Sequence, residues 1–471
     1  MERYDLAVIG GGTAGLVTAA VSAGIGARTA LVERHRLGGE CLWTGCVPSK
    51  AILRSAAVLA TVRRAAEYGI RAGPGDADFA EVMARVRRTI AAIEPHDSPE
   101  RFRGMGVEVV HGHARLVSPE EAEVDGRRLR AKRWVVATGS RTAVPDVPGL
   151  AEAGYLTHET VWELERLPRS LVVLGAGPIG VEIGQTFARL GSRVALVDSG
   201  AQVLGREDPE VAEVLRRALE REGVELRLGT RAERVRAEGG EKVVELAGGA
   251  EVRAEEVFVA TGRRPNVEEM GLEALGVEVG AGGITTDAKL RTSAGNVWAA
   301  GDVVGPYRFT HVADYHGRLA APNALFPVGR KADYRVVPWC TYAEPELARV
   351  GLTEAEARER WGGRAGVWRY AHESLDRAVC DGEPEGLTKL VTDPRGRLVG
   401  AHVVGPRAGE TIHEAVLAVR HRLKLSELSG MIHVYPTYPE SIRRGADAYL
   451  RARFSGGIAR RVADLAVRWL V

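Results

Sequence analysis

The feature that most constrains this chain is a glycine-rich turn, set between an apolar run and a helical pattern, that occurs twice. The run from Tyr4 to Ile9 leads into Gly10, Gly12 and Gly15, and a second run, Thr29 to Val32, ends on Glu33. Further along, Leu171 to Leu174 leads into Gly175, Gly177 and Gly180, and Arg193 to Val197 ends on Asp198. All four marker positions reappear at one constant offset. In a βαβ unit the first glycine permits the tight turn, the second lets backbone approach a pyrophosphate, and the third lets helix pack close to strand. The helix N-terminus then holds the phosphates, and the acid closing the second strand accepts hydrogen bonds from ribose hydroxyls. Two dinucleotide-binding folds are predicted.

Two more apolar runs end alike, in Ala137-Thr138-Gly139 and Ala260-Thr261-Gly262, each closing one nucleotide fold. A third, Val297 to Ala300, stops at Gly301-Asp302 and places a carboxylate where it could bind a polyol chain.

At 471 residues the chain is too long for one core, and its 57 glycines, spread throughout, suit a turn-rich α/β protein. The 64 basic and 62 acidic residues are interleaved, which argues against a nucleic-acid partner. No run of about 18 apolar residues is present and the N-terminus lacks the pattern of a signal peptide, so no membrane span and a reducing, cytoplasmic setting are expected. With four cysteines in so long a chain, a close pair is read as chemical, not as structural framework. No metal ligands are singled out.

That pair lies in Gly38-Gly39-Glu40-Cys41-Leu42-Trp43-Thr44-Gly45-Cys46-Val47-Pro48-Ser49-Lys50, ahead of a helix patterned on Ile52, Leu53, Ala56 and Leu59. Five helical steps turn about 140° away from the start, so a bond between the two sulfurs needs a distorted first turn, which Gly45 permits. A helix N-terminus lowers a thiol pKa and stabilises a thiolate. Lys50, four residues after Cys46, shares its helix face. Cys340 and Cys380 have no such surroundings and read as packed thiols.

This segment resembles the active-site signature of the pyridine nucleotide-disulfide oxidoreductases, the group that includes dihydrolipoamide dehydrogenase, glutathione reductase and mercuric reductase. The resemblance extends through Gly175-Ala-Gly-Pro-Ile-Gly-Val-Glu182 and Ala300-Gly-Asp302 to the segment around Pro436. It implies an α/β protein with two Rossmann-like FAD- and NAD(P)-binding domains plus a C-terminal α+β interface (dimerisation) domain, acting as a homodimer. Electrons would pass from the nicotinamide through FAD to a Cys41–Cys46 disulfide, and on to a disulfide or thiol-linked substrate.

By the same resemblance, Cys46 faces the flavin as the charge-transfer thiol and Cys41 exchanges with substrate. Lys50 sits by the flavin and pairs with Glu182. FAD is held by Gly10, Gly12, Gly15, Glu33, Lys50, Ala114, Thr138, Gly139, Ser140, Gly301 and Asp302. The nicotinamide nucleotide is held by Gly175, Gly177, Ile179, Gly180, Glu182, Asp198 and Gly262. NAD is preferred to NADP because Asp198 can bond a ribose 2′-hydroxyl but repels a 2′-phosphate.

Turn residues place the domains at 1–148 (FAD, first part), 149–263 (NAD(P)), 264–338 (FAD, second part) and 339–471 (interface). Phe79, Val82, Val86, Ile90 and Ile93 mark an amphipathic helix. Leu387 to Thr392, the turn Asp393-Pro394-Arg395-Gly396 and Leu398 to Val404 read as a hairpin. The tail from Ile458 to Val471 is expected to dock onto the protein.

One departure limits the functional reading. The dithiol enzymes of this family place His-Pro before Thr-x-x-Glu, the histidine being the acid-base group. Here Tyr435 stands before Pro436, with Glu440 matching the orienting carboxylate and His433 two residues upstream as a substitute. A phenol of ordinary pKa about 10 is poorly matched to proton transfer near pH 7. Trp339-Cys340-Thr341-Tyr342 and Thr310-His311-Val312 stand closer to the mercuric reductase branch, although its C-terminal cysteine pair is missing. The alternatives are therefore a mercuric reductase-like metal reductase or quinone/metal diaphorase, and a redox-sensing interaction protein.

Overall fold

A computed structural model describes residues 3–73 and 75–454. The tail Ile458–Val471, expected to dock onto the protein, lies outside the described residues. The chain forms two compact units, one of Met1–Arg169, Arg234–Val243 and Ala254–Asp333, the other of Ser170–Glu233, Val244–Arg253 and Tyr334–Val471.

The first unit is built on five parallel strands in the order Val297–Ala299, Trp134–Val136, Leu6–Ile9, Thr29–Glu33, Val107–His111. Leu6–Ile9 is central and covered on both faces, which is why its sequence is continuously apolar. Side chains alternate between those faces. Leu6 and Val8 pack with Leu16 and Ala19 of helix Thr13–Gly24 and with Leu319 and Ala320 of helix Thr310–Leu325. Ala7 and Ile9 pack with Leu116 and Leu129, from a mixed sheet in which Arg3–Tyr4 lies parallel to Arg127–Ala131, followed by antiparallel Glu121–Val124 and Ala114–Ser118.

The expected amphipathic helix spans Phe79–Ile93, capped by Asp78 Oδ1, which accepts the Ala80 and Glu81 amides at 3.0 and 3.2 Å. It buries Phe79, Met83 and Val86, while Ile93 is exposed at its end. Among the described residues, the helical stretch Gly39–Arg63 alone has the length and mean hydropathy (1.2) of a membrane span. It is broken at Thr44 and Gly45 and buries Leu42, Ile52, Ala56 and Leu59.

In the second unit, parallel strands Ser170–Leu174, Arg193–Asp198 and Glu225–Leu228 are accompanied by helices Pro178–Leu190 and Pro209–Arg221. An antiparallel sheet follows in the order Pro338–Thr341, Leu347–Gly351, Leu398–Val404, Leu387–Thr392, Gly366–Ala371. Helices Ala408–His421 and Glu440–Phe454 cover it, packing Ile412, Ala415, Ile442 and Ala446 on Leu390 and Val403. The hairpin turn forms as read: Asp393 Oδ1 accepts the Arg395 and Arg397 amides, and its carbonyl accepts that of Gly396. Cys340 is half-buried as expected of a packed thiol, but Cys380 is exposed as the last residue of the short helix Asp376–Cys380, whose buried face is carried by Ala378.

Three histidines are fully buried: His316, His372 and His402. Burial pushes each down to about 4 from 6.5, so each is neutral in the folded protein at neutral pH. His316 Nδ1 accepts the Gly301 amide at 3.1 Å, and His402 Nε2 donates to the Leu352 carbonyl at 3.0 Å. Unfolded histidines gain protons below 6.5 while these cannot until about 4, so their contribution is present above 6.5 and is lost as pH falls toward 4. Unfolding at pH 5.5 should therefore take up protons, and calorimetry in buffers of different ionisation heat measures that uptake. No uptake at that pH would contradict the buried neutral state.

Candidate active site

The two glycine turns fold alike. Gly10 and Gly175 adopt φ of 107° and 109°, a region open mainly to glycine. A Cβ on Gly15 would fall 1.8 Å from the Gly10 carbonyl oxygen, and one on Gly180 would fall 1.9 Å from that of Gly175. Each third glycine is thus what lets helix lie on turn. Gly12 and Gly177 precede the two helices with no side-chain cap; a Cβ on Gly177 would meet nothing within 4 Å, and one on Gly12 only the Gly39 Cα at 3.9 Å. That is a cradle suited to a pyrophosphate.

The acids closing the second strands are held in matching ways. Glu33 Oε2 accepts the Gly11 amide at 2.6 Å and Oε1 that of His35 at 2.7 Å. Asp198 Oδ2 accepts the Ala176 amide at 2.7 Å and Oδ1 that of Gly200 at 2.6 Å. Each carboxylate is fixed by two backbone amides beside its own turn. In the first unit the Glu33 carbonyl also accepts the Gly112 amide, which brings the buried start of strand Ala114–Ser118 alongside.

Ser140 Oγ donates to Asp302 Oδ2 at 2.8 Å and accepts from Arg263 Nε at 2.8 Å. Burial pushes the Asp302 carboxyl above its usual range, against the pull of Arg263 and Ser140. Thr138 Oγ1 donates to the Asn266 carbonyl at 2.7 Å, and the Asn266 amide donates to that of Gly139 at 3.0 Å, so the strand exit is pinned. Gly262 turns with φ of 143°, and Ile179 lies in the first turn of helix Pro178–Leu190.

The distortion expected between the cysteines takes the form of two helical segments, Gly39–Trp43 and Cys46–Arg63. At the break the Glu40 carbonyl accepts the amides of Thr44 and Gly45 at 2.9 and 2.6 Å. Cys41 and Cys46 are thiols in mutual contact. Contact with Cys46 and then burial push the Cys41 thiol up, against the Thr310 hydroxyl. Cys46, the first residue of its helix, is exposed, with Sγ 3.2 Å from Thr310 Oγ1. Toward a thiolate that hydroxyl must be the donor. Sequence reasoning named the Thr310 segment only as a branch marker, because nothing local in it signals a contact with a residue 264 positions away.

Lys50 is half-buried one turn beyond Cys46. Glu182 is buried, with Oε1 accepting the Tyr342 amide at 2.8 Å. The C-terminal candidates separate. Tyr435 donates to Asp376 Oδ2 at 2.8 Å, and that bond raises its pKa further above the phenol value of 10. Glu440 is buried, with Oε1 taken by Arg443 at 2.6 Å and Arg444 at 3.3 Å, so it orients arginines and not residue 435. The His433 imidazole is only 6% exposed, with Nε2 3.1 Å from both oxygens of Glu414. Among the described residues no cluster of three or more His, Cys, Asp or Glu side chains could hold a metal ion.

Residues 4–317 match the family model described as pyridine nucleotide-disulphide oxidoreductase, and residues 337–446 match that family's dimerisation domain. The chain belongs to the pyridine nucleotide-disulphide oxidoreductase family. It is 35% identical over 445 residues to a mercuric reductase of Bacillus cereus, covering 93% of this chain and 70% of that protein. It is 36% identical over 471 residues to the dihydrolipoyl dehydrogenase of Thermus scotoductus, covering 95% of this chain and 98% of the other. The fold matches, with TM-score 0.86 and 27% identity, the Cu(II) complex of the HOCl-induced flavoprotein disulfide reductase RclA from Escherichia coli, over 95% and 99% of the two chains.

The protein is accordingly a flavin-dependent NAD(P)H oxidoreductase acting on a sulfur group, with FAD as its cofactor. If Cys46 is the thiol next to the flavin, its thiolate should give a long-wavelength absorption band on two-electron reduction. Thr310→Val should raise the pH at which that band forms by about one unit, the size of a charge-assisted hydrogen bond. Thr310→Ser should restore it. A pH titration in which Thr310→Val keeps the wild-type midpoint would exclude the hydroxyl from the site.

Proposed function

We propose that this chain, as a cytoplasmic homodimer, carries two electrons from NADH to the Cys41–Cys46 pair and delivers them to a disulfide or thiol-linked substrate. The contact between Cys41 and Cys46, under the Thr310 hydroxyl, is the observation that carries this reading. Bound FAD, held by the first glycine turn with Glu33, Ala114, Thr138, Ser140 and Asp302, supplies the two-electron relay between nicotinamide and sulfur. Lys50 and Glu182 are the side chains assigned to tuning it. The domain limits 1–148, 149–263, 264–338 and 339–471 belong to the same reading.

In the transfer the Cys41–Cys46 bond breaks and both sulfurs are reduced. Cys41, whose pKa is raised, keeps the proton, and Cys46 is left as the thiolate. When the reduced pair attacks a substrate disulfide, the intramolecular bond re-forms, the substrate S–S bond breaks, and the two substrate sulfurs leave as thiols, one taking the Cys41 proton and the other a proton from solvent. Asp198, fixed by the Ala176 and Gly200 amides, presents a carboxylate to the adenosine ribose and disfavours a 2′-phosphate.

A second reading has its own observation. Tyr435 is locked to Asp376, Glu440 is occupied by two arginines, and His433 is covered and paired with Glu414. None of the three stands ready to shuttle a proton to a leaving thiol, which favours an acceptor that needs no such group: a quinone or a metal ion. Relatives named as mercuric reductases and a neighbour solved as a Cu(II) complex support that branch.

An acceptor screen on the FAD-loaded protein, with NADH and NADPH as donors, separates the readings. NADH should give the higher kcat/KM. Small disulfides should turn over about 10²- to 10⁴-fold more slowly than NADH reduces the flavin, the typical contribution of a positioned acid-base group. Tyr435→His should recover part of that gap, with Asp376 beside it as the orienting carboxylate. Fast turnover of a small disulfide by wild type, abolished in His433→Ala, would instead make His433 the acid-base group. Discharge by quinones or metal ions alone establishes the second reading.

A further inference from the structure

The five residues Glu40 to Thr44, which carry Cys41, are anchored at both ends by side chains that no nucleotide or cysteine motif accounts for. At the first residue, the Arg263 guanidinium grips the Glu40 carboxylate with both terminal nitrogens, Nη1 at 2.6 Å from Oε1 and Nη2 on Oε2. His158 Nε2 lies 2.7 Å from Oε1, close enough for an ion pair though off the line of an ideal hydrogen bond. Arg263 and His158 are themselves only 15% and 7% exposed, so the clamp is built into the fold and not draped over it. At the last residue, Trp162 Nε1 donates to the Thr44 carbonyl at 2.8 Å, bifurcated with the His158 carbonyl at 2.6 Å. His158 is in turn fixed through Nδ1 to Thr142 Oγ1 at 2.7 Å.

We propose that Glu40, through its bidentate pair with Arg263 and the His158–Trp162 strap, is a positioning residue that sets the Cys41–Cys46 separation and hence the reduction potential of that couple. The physical reason is that a disulfide tolerates only a narrow range of Cα and Cβ separations. A fold that holds two thiols inside that range raises their effective concentration for one another and makes the disulfide harder to reduce. Cys46 is fixed by its helix and by Thr310, so the mobile partner is Cys41. Its position follows the turn that Glu40 and Thr44 pin. Glutamine at position 40 keeps the volume but cannot accept both arms of a guanidinium, because its amide nitrogen is itself a donor. Burial pushes the Glu40 carboxyl up, but contact with His158 and the charge of Arg263 outweigh it and hold it at about 2, so the carboxylate is ionised across the working range.

This inference rests on reading Cys41 and Cys46 as the redox pair, and its test keeps the two apart. Full-length protein is equilibrated with mixtures of reduced and oxidised dithiothreitol. Two electrons and two protons pass from the Cys41 and Cys46 thiols to the cyclic disulfide, and the remaining thiols are alkylated and counted on the Cys41–Cys46 peptide by mass spectrometry. Wild type that forms no Cys41–Cys46 disulfide at any ratio overturns the redox-pair reading itself. If the pair forms, Glu40→Gln should lower its equilibrium constant about tenfold, which is about 30 mV toward the oxidising side. Trp162→Phe, which loses only the indole N–H, should shift it the same way by less. Melting temperatures are measured alongside, since a purely structural clamp would lower them and leave the potential alone. A wild-type potential in Glu40→Gln overturns the proposal, and if that variant does not fold, a wild-type potential in Trp162→Phe does so.

Discussion

The Glu40 carbonyl accepts the amides of both Thr44 and Gly45, and that double acceptance stops one helix and starts another two residues later. An unbroken helix would carry Cys41 and Cys46 to different faces. The break brings them into contact while leaving Cys46 as the first residue of a helix of 18, where the unpaired amides and the macrodipole favour a thiolate. Thr310 opens a second long helix against the same sulfur. The contact between the two sulfurs is therefore obtained from backbone geometry.

The parallel sheet of the first unit explains why these pieces meet. Its strands Leu6–Ile9, Trp134–Val136 and Val297–Ala299 run side by side and end together, so the Gly10 turn, the Thr138-Gly139 exit and the Gly301-Asp302 corner all open on one edge. Ligands of open α/β sheets bind at that carboxyl edge. The neutral His316, buried beneath, accepts the Gly301 amide and holds the corner. The second unit repeats the turn and its strand-closing acid with nearly the same φ and the same two amide contacts.

Much of this was legible in the sequence where a local rule applies. The glycine turns, Glu33 and Asp198, the distortion at Gly45, the helix from Phe79 and the hairpin at Asp393 all follow from short-range steric or capping requirements. What escaped were contacts made by residues far apart in the chain. Arg263, His158 and Trp162 sit in stretches of unremarkable composition and reach Glu40 and Thr44 only through the tertiary fold. The C-terminal segment shows the converse: Glu440 matches a motif position yet is paired with Arg443 and Arg444, while the unmarked Asp376 receives Tyr435. Cys380 was expected to be packed and is exposed, as the last residue of a short helix whose buried face is carried by Ala378.

The central claim is that flavin and dithiol form one electron store within each chain. An anaerobic dithionite titration of the FAD-loaded protein tests it directly. A disulfide takes up two electrons and a flavin two more, so wild type should consume about four electrons per flavin, and Cys41→Ser or Cys46→Ser about two. Uptake of about two electrons by wild type, or of about four by either serine variant, would contradict the account.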